Sequence, residues 1–150
     1  MRPLRVGLGC ALALGALALP PAPAQARSAA ARLVDAINAA RVEHGVRPLR
    51  ASRELAGSSR RYARWMLAHQ YFGHLARIRA SRRFRWLGET LELHSGRRPQ
   101  VGATLRAWLR SPGHARLLLS PTPRWIGAGW ARGRLGGANV TVWVAHVGRL

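Results

Sequence analysis

Residues 138–147 read Ala-Asn-Val-Thr-Val-Trp-Val-Ala-His-Val, and this stretch decides the fold. In an extended strand its apolar side chains divide between the two faces, with Val140, Val142 and Val144 on one and Trp143, Ala145 and Val147 on the other. A strand that is apolar on both faces is covered on both sides. The sequence therefore predicts an α/β fold in which helices enclose a sheet, a three-layer α/β/α sandwich.

The partner of this strand precedes it directly. Residues 124–131 are rich in Ile and Trp, and a turn at Gly133, Gly136 and Gly137 follows them. Two such strands joined by a glycine-rich turn are typical of a β-hairpin.

Helices are predicted upstream of the hairpin. Leu33, Ile37 and Ala40 fall at helical spacing in a first helix over residues 29–44. Ser52 is a good N-cap for a second helix, which runs to about Gln70. These helices, with those described next, are expected to supply the covering layers.

Proline residues mark two further helices. Pro99 opens the third, and Pro112 ends it at Ser111. Ser111 then caps a short fourth helix that carries His114 in its first turn. Residues 71–100 show little periodicity, so we expect loops there with room for one short strand.

Tryptophan is frequent, with six residues in the chain. Four of them lie at periodic apolar positions: Trp65, Trp108, Trp125 and Trp143. We therefore assign these side chains to the core before any role as a ligand-binding platform.

The first 26 residues are typical of a secretion signal. Arg2 and Arg5 precede an apolar run over residues 6–19, and small residues offer cleavage near residue 24 or 26. A retained membrane anchor is the alternative, but the run is shorter than the ~20 residues that span a bilayer. We expect one domain over residues 27–150, without a transmembrane anchor after cleavage, secreted to the extracellular space, periplasm or cell wall.

The charge is one-sided, with 25 basic residues against 5 acidic ones and a net charge of +20. Such a surface attracts polyanions, although a GC-rich coding sequence that supplies arginine at tolerant positions explains the same composition. Export argues against nucleic acid and favours anionic lipid or envelope polymer. The single cysteine, Cys10, lies in the leader, so no disulfide holds the domain.

Three ionisable residues lie beside glycines in turns or at a helix start, within Phe72-Gly73-His74, Gly88-Glu89 and Pro112-Gly113-His114. Loops commonly present such side chains to a cleft. Two imidazoles and one carboxylate can bind zinc with an open position, or act as acid and base. A helix N-terminus also favours the neutral imidazole of His114. Alternatively, all three residues only satisfy backbone hydrogen bonds.

The order and spacing of several segments carry a resemblance that covers nearly all of residues 27–150. The segments are Leu33–Arg41 with Pro48-Leu49, Leu55–Met66 leading into Phe72-Gly73-His74, Gly88-Glu89, Trp108–His114 with Leu117–Leu119, Ile126–Gly129, and Trp143–Gly148. In these the chain resembles the CAP superfamily (cysteine-rich secretory proteins, antigen 5, pathogenesis-related 1), in its small bacterial branch without disulfides. The resemblance implies an α/β/α sandwich with a small, mostly antiparallel central sheet.

The resemblance also implies a cleft with two histidines and two acidic residues, in which the histidine pair binds zinc or a similar divalent ion. By motif, His74 and His114 are the metal pair and Glu89 is one acid, while Ser111 stands where many relatives carry the other. The predicted cleft is therefore His74, Glu89, His114 and Ser111. His146 stands where relatives often have Gln, and either reaches this cleft or is a core or edge histidine with one hydrogen bond.

Two functions from different classes follow. The first, which we favour, is a monomeric extracellular binding module with a metal in the His/Glu cleft and a basic surface for lipid, sterol or anionic cell-envelope polymer. The second is a metal-dependent extracellular hydrolase in which Glu89 is the catalytic base that activates water. A third candidate, an antimicrobial or membrane-active cationic protein, is supported by the net charge alone.

Overall fold

The computed structural model describes residues 27–150, and the secretion signal predicted for residues 1–26 lies outside the described residues. The elements follow the chain in this order: α1 (Ala29–Glu43), β1 (Arg50–Ala51), α2 (Arg53–Ala68), β2 (Trp86–Ser95), α3 (Val101–Arg110), α4 (Pro112–Leu118), β3 (Trp125–Leu135) and β4 (Ala138–Arg149). Within residues 27–150, none of the helices has the length and hydrophobicity needed to cross a bilayer.

The four strands form one sheet in the order β1-β3-β4-β2. β4 pairs antiparallel with both β3 and β2, while the two-residue β1 pairs parallel with β3. The predicted mostly antiparallel sheet is therefore confirmed. The register sets His146 of β4 opposite Glu89 of β2 on one side and opposite Gly127 of β3 on the other.

Helices cover both faces of this sheet, as the two-sided apolar pattern of β4 predicts. α2 packs on one face, where Ala63 and Met66 meet the side chains of Leu91, Val140, Val142 and Val144. α1, α3 and α4 cover the other face, where the buried cluster includes Leu33, Ile37, Trp108, Leu118, Trp143, Ala145 and Val147. The predicted α/β/α sandwich is confirmed.

α2 lies unusually close to β3, because two strand residues lack side chains. A Cβ atom on Gly127 would lie 1.9 Å from the backbone nitrogen of Ala56, and one on Gly129 would lie 2.3 Å from that of Arg60. In the space between, Ser59 Oγ donates to the Gly127 carbonyl at 2.8 Å and accepts from the His146 backbone N–H at 3.1 Å. This contact presses α2 against the part of the sheet that carries His146.

The structure differs from the sequence prediction most in residues 71–100. We expected loops with one short strand there, but β2 is ten residues long. Its pattern is hard to read because a polar residue, Glu89, sits on the same face as buried Leu91, and because its partner β4 lies far away in sequence. Long-range pairing, which local periodicity does not report, stabilises this strand.

Smaller differences concern the ends of elements. α3 begins at Val101 rather than Pro99, and the Ser111 side chain makes no capping hydrogen bond to α4. Gly133 lies inside β3, and the turn itself uses Gly136 and Gly137, both at positive φ. The four predicted helices and the hairpin nevertheless all occur.

A buried arginine links α1 to the C-terminal end of α4 and the residues that follow it. Arg41 is fully buried; its Nη1 donates to the carbonyl oxygens of Leu118 and of Ser120, the latter at 2.9 Å, and its Nε donates to that of Arg47 at 2.8 Å. Burial, followed by the charge of Arg124, lowers the pKa of Arg41. The buried guanidinium thus makes three hydrogen bonds to backbone carbonyl oxygens.

Candidate functional site around Glu89

Glu89 lies at the centre of a hydrogen-bonded set of side chains on the α2 side of the sheet. Its side chain is only 6% exposed. His74 Nδ1 donates to Glu89 Oε1 at 2.7 Å, and His146 Nε2 donates to Glu89 Oε2 at 2.8 Å. One carboxylate therefore joins an imidazole from the loop after α2 to an imidazole from the central strand.

His146 is the buried end of this set. Its side chain is 1% exposed, and its Nδ1 lies 2.7 Å from Ser58 Oγ, which itself lies 2.9 Å from the Leu55 carbonyl oxygen. With both ring nitrogens protonated, His146 donates to Glu89 and to Ser58, and the Ser58 hydroxyl donates to Leu55. In the neutral form, the Ser58 hydroxyl turns to His146 Nδ1 and the Leu55 carbonyl loses that bond.

His74 is the exposed end, with 55% of its side chain accessible. Two tyrosines hold its loop: Tyr62 donates from its hydroxyl to the Gly73 carbonyl at 2.5 Å, and Tyr71 donates to the His74 carbonyl at 3.0 Å. Because Nδ1 is bound to Glu89, the ring has a fixed orientation and Nε2 is left for a ligand.

His114 approaches from α4, the layer on the other face of the sheet. Its Nδ1 is buried and has no hydrogen-bond partner among residues 27–150. Burial, followed by the charge of His74, lowers the pKa of His114, while Glu92 raises it. The sequence predicts a neutral imidazole here from the helix terminus; the structure reaches the same form through burial and a neighbouring histidine.

Ser111 is the fourth residue of the predicted cleft. It lies between α3 and α4, is partly buried, and no described hydrogen bond joins its side chain to His74, Glu89 or His114. Thus His74 and Glu89 are in direct contact, while no described hydrogen bond joins the side chain of His114 or Ser111 to either of them.

Residues 34–147 match the family described as CAP, the cysteine-rich secretory protein family. The chain belongs to the CAP family. A search of curated proteins finds no match.

Solved structures show the same CAP fold at low sequence identity. An outer surface protein of Borrelia burgdorferi is 19% identical with a TM-score of 0.66, over 79% of this chain and 90% of that one. An extracellular SCP-domain protein of Bacillus anthracis is 20% identical with a TM-score of 0.64, over 81% of this chain but only 40% of that one. Venom allergen-like protein 4 of Schistosoma mansoni is 12% identical with a TM-score of 0.62, over 83% and 92%.

The metal pair implied by the resemblance can be tested against the donor atoms of this CAP domain. No group of three or more His, Cys, Asp or Glu side chains suited to a metal lies within the described part of the chain. Two imidazoles do fit: His114 offers a buried, unpartnered Nδ1, and Glu89 orients the ring of His74 as carboxylates commonly orient metal-binding histidines. Glu89 is then a residue behind the ligand rather than a ligand.

The CAP domain also has an arginine-rich cleft beside Glu89. It has a volume of about 1550 Å³ and lies between the start of α2 and the loop that follows His74. Six arginines line it: Arg53, Arg61, Arg77, Arg79, Arg82 and Arg85. Within residues 27–150, none of these six forms a salt bridge, because Glu54 pairs with Arg83 and Glu89 with the two histidines.

The sequence alone leaves the place of His146 open and does not indicate a role for Ser58. A signal existed for His146, because it is the one ionisable residue in the mostly apolar stretch 138–147. Ser58 and Ser59 were visible as small polar residues on the apolar side of α2, both buried in the structure. Neither observation names Glu89 as the partner, which requires the register of β2 against β4.

Proposed function

We propose that this CAP domain is an extracellular binding module that takes an anionic component of the cell envelope into its arginine-lined cleft, beside a divalent ion held by His74 and His114. The observation that carries the proposal is the set of six arginines around the cleft, none of them paired with a carboxylate in residues 27–150. Six arginines against two carboxylates, Glu54 and Glu89, leave the cleft cationic, and a cationic cleft concentrates anions and raises their rate of association.

Location outside the cytoplasm is supported from two sides. The first 26 residues are typical of a secretion signal. The family is described as secretory, and two structural neighbours are named as an outer surface protein and an extracellular protein. In such a place the accessible polyanions are lipid head groups and acidic polymers rather than nucleic acid.

The cleft favours ligands with phosphate or carboxylate oxygens. Guanidinium groups bind both in a bidentate manner through charge-assisted hydrogen bonds. An uncharged sterol, which the sequence analysis also allowed, lacks the group that these arginines recognise. Lipid head groups and acidic polymers share the required chemistry.

A divalent ion at His74 and His114 would add positive charge beside this cleft, which His74 lines. Nε2 of His74 and Nδ1 of His114 are the nitrogens that would hold zinc, and the remaining coordination positions would be open to water or to a ligand oxygen. The neighbouring side chains would orient these ligands: Glu89 fixes the ring of His74, and His146 with Ser58 fixes Glu89.

Hydrolysis, with Glu89 as the base, gains no specific support from the geometry. The family position for the second acid holds Ser111, which is not connected to the site. Among the described residues, the other carboxylate that lines the cleft is Glu54, and it pairs with Arg83 at 3.3 Å. We therefore advance the binding function alone.

The anion-binding part is tested by retention of residues 27–150 on a polygalacturonate column. We expect the parent to need a high salt concentration for elution, and Arg82→Gln/Arg85→Gln in the cleft to elute markedly earlier. The matched control is Arg106→Gln/Arg110→Gln, which removes the same charge from exposed positions of α3 in the opposite layer. Equal shifts for both pairs would show that net charge, rather than the cleft, retains the protein.

A further inference from the structure

A smaller pocket of about 250 Å³ opens beside the arginine-lined cleft. It shares six residues with that cleft: Arg61, Leu75, Arg77, Ile78, Arg79 and Glu89. We propose that this pocket binds one sugar ring of an acidic glycan, with the carboxylate or phosphate of the sugar held by the arginines at the rim. The inference rests on the proposed function and names its ligand class.

The size of the pocket selects a compact ligand. Ordinary small-molecule pockets measure ~300–1,000 Å³. A pocket of about 250 Å³ therefore suits a ligand of about the size of a single sugar ring.

Three polar residues are among those that line the pocket: Ser58, Glu89 and His146. Each Glu89 oxygen accepts one imidazole N–H and keeps a further lone pair, since a carboxylate offers about four acceptor sites. Sugar hydroxyls can donate to these sites.

Apart from its arginines, the rest of the pocket lining is aromatic and aliphatic. It includes Tyr62 and Trp65, with ring centroids 5.7 Å apart and planes inclined by 22°, together with Leu75 and Ile78 from the loop. The C–H faces of a sugar ring carry positive partial charge and pack favourably on the negative π face of such rings. The sequence assigned Trp65 to the core, but the structure leaves it only partly buried and in the wall of this pocket.

Arginines complete the pocket. Arg61, Arg77 and Arg79 line both the pocket and the wider cleft, and none of them has a carboxylate partner in residues 27–150. A pocket lined by hydroxyl-binding groups, aromatic rings and guanidinium groups without a carboxylate partner in residues 27–150 is complementary to a sugar that carries an acid group. The same sugar, as one unit of a polymer, leaves the six-arginine cleft to bind its neighbours.

The test is calorimetric titration of residues 27–150 with galacturonate, N-acetylmuramate, glucose 6-phosphate and trigalacturonate. The methyl ester of trigalacturonate is the uncharged control. We expect at least one acidic sugar to bind. Trigalacturonate or galacturonate should bind at least about tenfold more tightly than the methyl ester, and inorganic phosphate should bind more weakly than the sugars. No binding by any acidic sugar overturns the inference.

Variants locate the binding. Ile78→Trp fills the pocket from a loop position without disturbing the core, and Arg77→Gln/Arg79→Gln removes the rim charge; each should weaken the best acidic sugar about tenfold or more. Arg106→Gln/Arg110→Gln should change its affinity less than about twofold. Trp65→Leu should weaken the sugar but leave inorganic phosphate unaffected, provided that circular dichroism shows an unchanged fold. Unchanged affinity in Ile78→Trp excludes the pocket as the site.

The outcomes separate this inference from the proposed function. Salt-sensitive retention on polygalacturonate with no binding of single acidic sugars keeps the arginine cleft and removes the sugar pocket. Binding of a single acidic sugar that Ile78→Trp abolishes, without salt-sensitive retention on the column, keeps the pocket and removes the wider cleft. Binding of phosphatidylglycerol vesicles that Ile78→Trp abolishes, with no sugar bound by the parent, assigns the pocket to lipid and overturns the inference.

Discussion

His146 and Glu89 face each other across the β2–β4 pairing and share a hydrogen bond from Nε2 to Oε2 of 2.8 Å. The bond links a nearly inaccessible imidazole on the central strand to a carboxylate that reaches the cleft. Ser58 supports His146 from α2, and Glu89 in turn orients His74. The exposed histidine is therefore held in place from the interior of the sandwich.

Removal of His146 should destabilise the domain according to the groups left unpaired. His146→Leu leaves Glu89 Oε2 and Ser58 without their partner, and we expect a loss of about 1–3 kcal/mol in the free energy of unfolding. His146→Gln retains a donor toward Glu89 and should lose less. Urea denaturation of residues 27–150 measures both, and a Leu variant as stable as the Gln variant would contradict the role of the bond.

The close contact of α2 with β3 predicts a large effect at Gly127. A Cβ there would lie 1.9 Å from a backbone atom of α2, so Gly127→Ala must move the helix and should cost about 2–3 kcal/mol. Gly113→Ala is the matched control, because nothing lies within 4 Å of the added atom. Thermal unfolding compares the two. Similar melting temperatures would mean that the helix is not held so tightly.

Arg41 should be hard to replace although it takes no part in the cleft. Arg41→Met leaves three backbone carbonyl oxygens without their donor, and we expect a loss of about 2–4 kcal/mol. Arg64→Met, at an exposed position of α2, is the control and should change stability by less than about 0.5 kcal/mol. Chemical denaturation measures the free energy of unfolding of the two variants. Equal stability would contradict a stabilising role for the buried guanidinium.

The phenol of Tyr62 should lose its proton at a higher pH than an ordinary tyrosine. Burial, then the charges of Glu89 and Tyr71, raise the pKa of Tyr62 to about 12. Since its folded-state pKa lies above the ordinary value of about 10, this group stabilises the fold fully below pH 10 and loses that effect as the pH rises toward 12. In Tyr71→Phe, ultraviolet absorbance follows Tyr62 alone, and adding Glu89→Gln should lower its midpoint. A midpoint near 10 in the folded protein contradicts the prediction.

The layers of the fold could be predicted because they follow from local pattern. The alternation of Val140, Val142 and Val144 against Trp143, Ala145 and Val147 gives two buried faces, and both occur. The helical spacing of Leu33 and Ile37 likewise gives a buried face of α1. Such patterns report burial, which is the property that a strand or helix face shares along its length.

The site could be predicted only in part, because it depends on pairing between distant segments. Resemblance to the family gave His74, Glu89 and His114, and the structure places the first two in contact. The bond from His146 to Glu89 depends on the register of β2, a strand that the sequence presented as mostly loop. The burial of Arg41 was equally hard to predict, since carbonyl groups that accept its hydrogen bonds lie at and just after the C-terminal end of α4.

The most direct measurement for the cleft is calorimetric titration of residues 27–150 with zinc. The account predicts one ion per chain with a dissociation constant below about 1 mM, lost in His74→Ala/His114→Ala and kept in the control His44→Ala/His69→Ala, which changes two exposed histidines. Equal affinity in the parent and the His74/His114 variant, or no binding to the parent, contradicts a metal site at these two imidazoles.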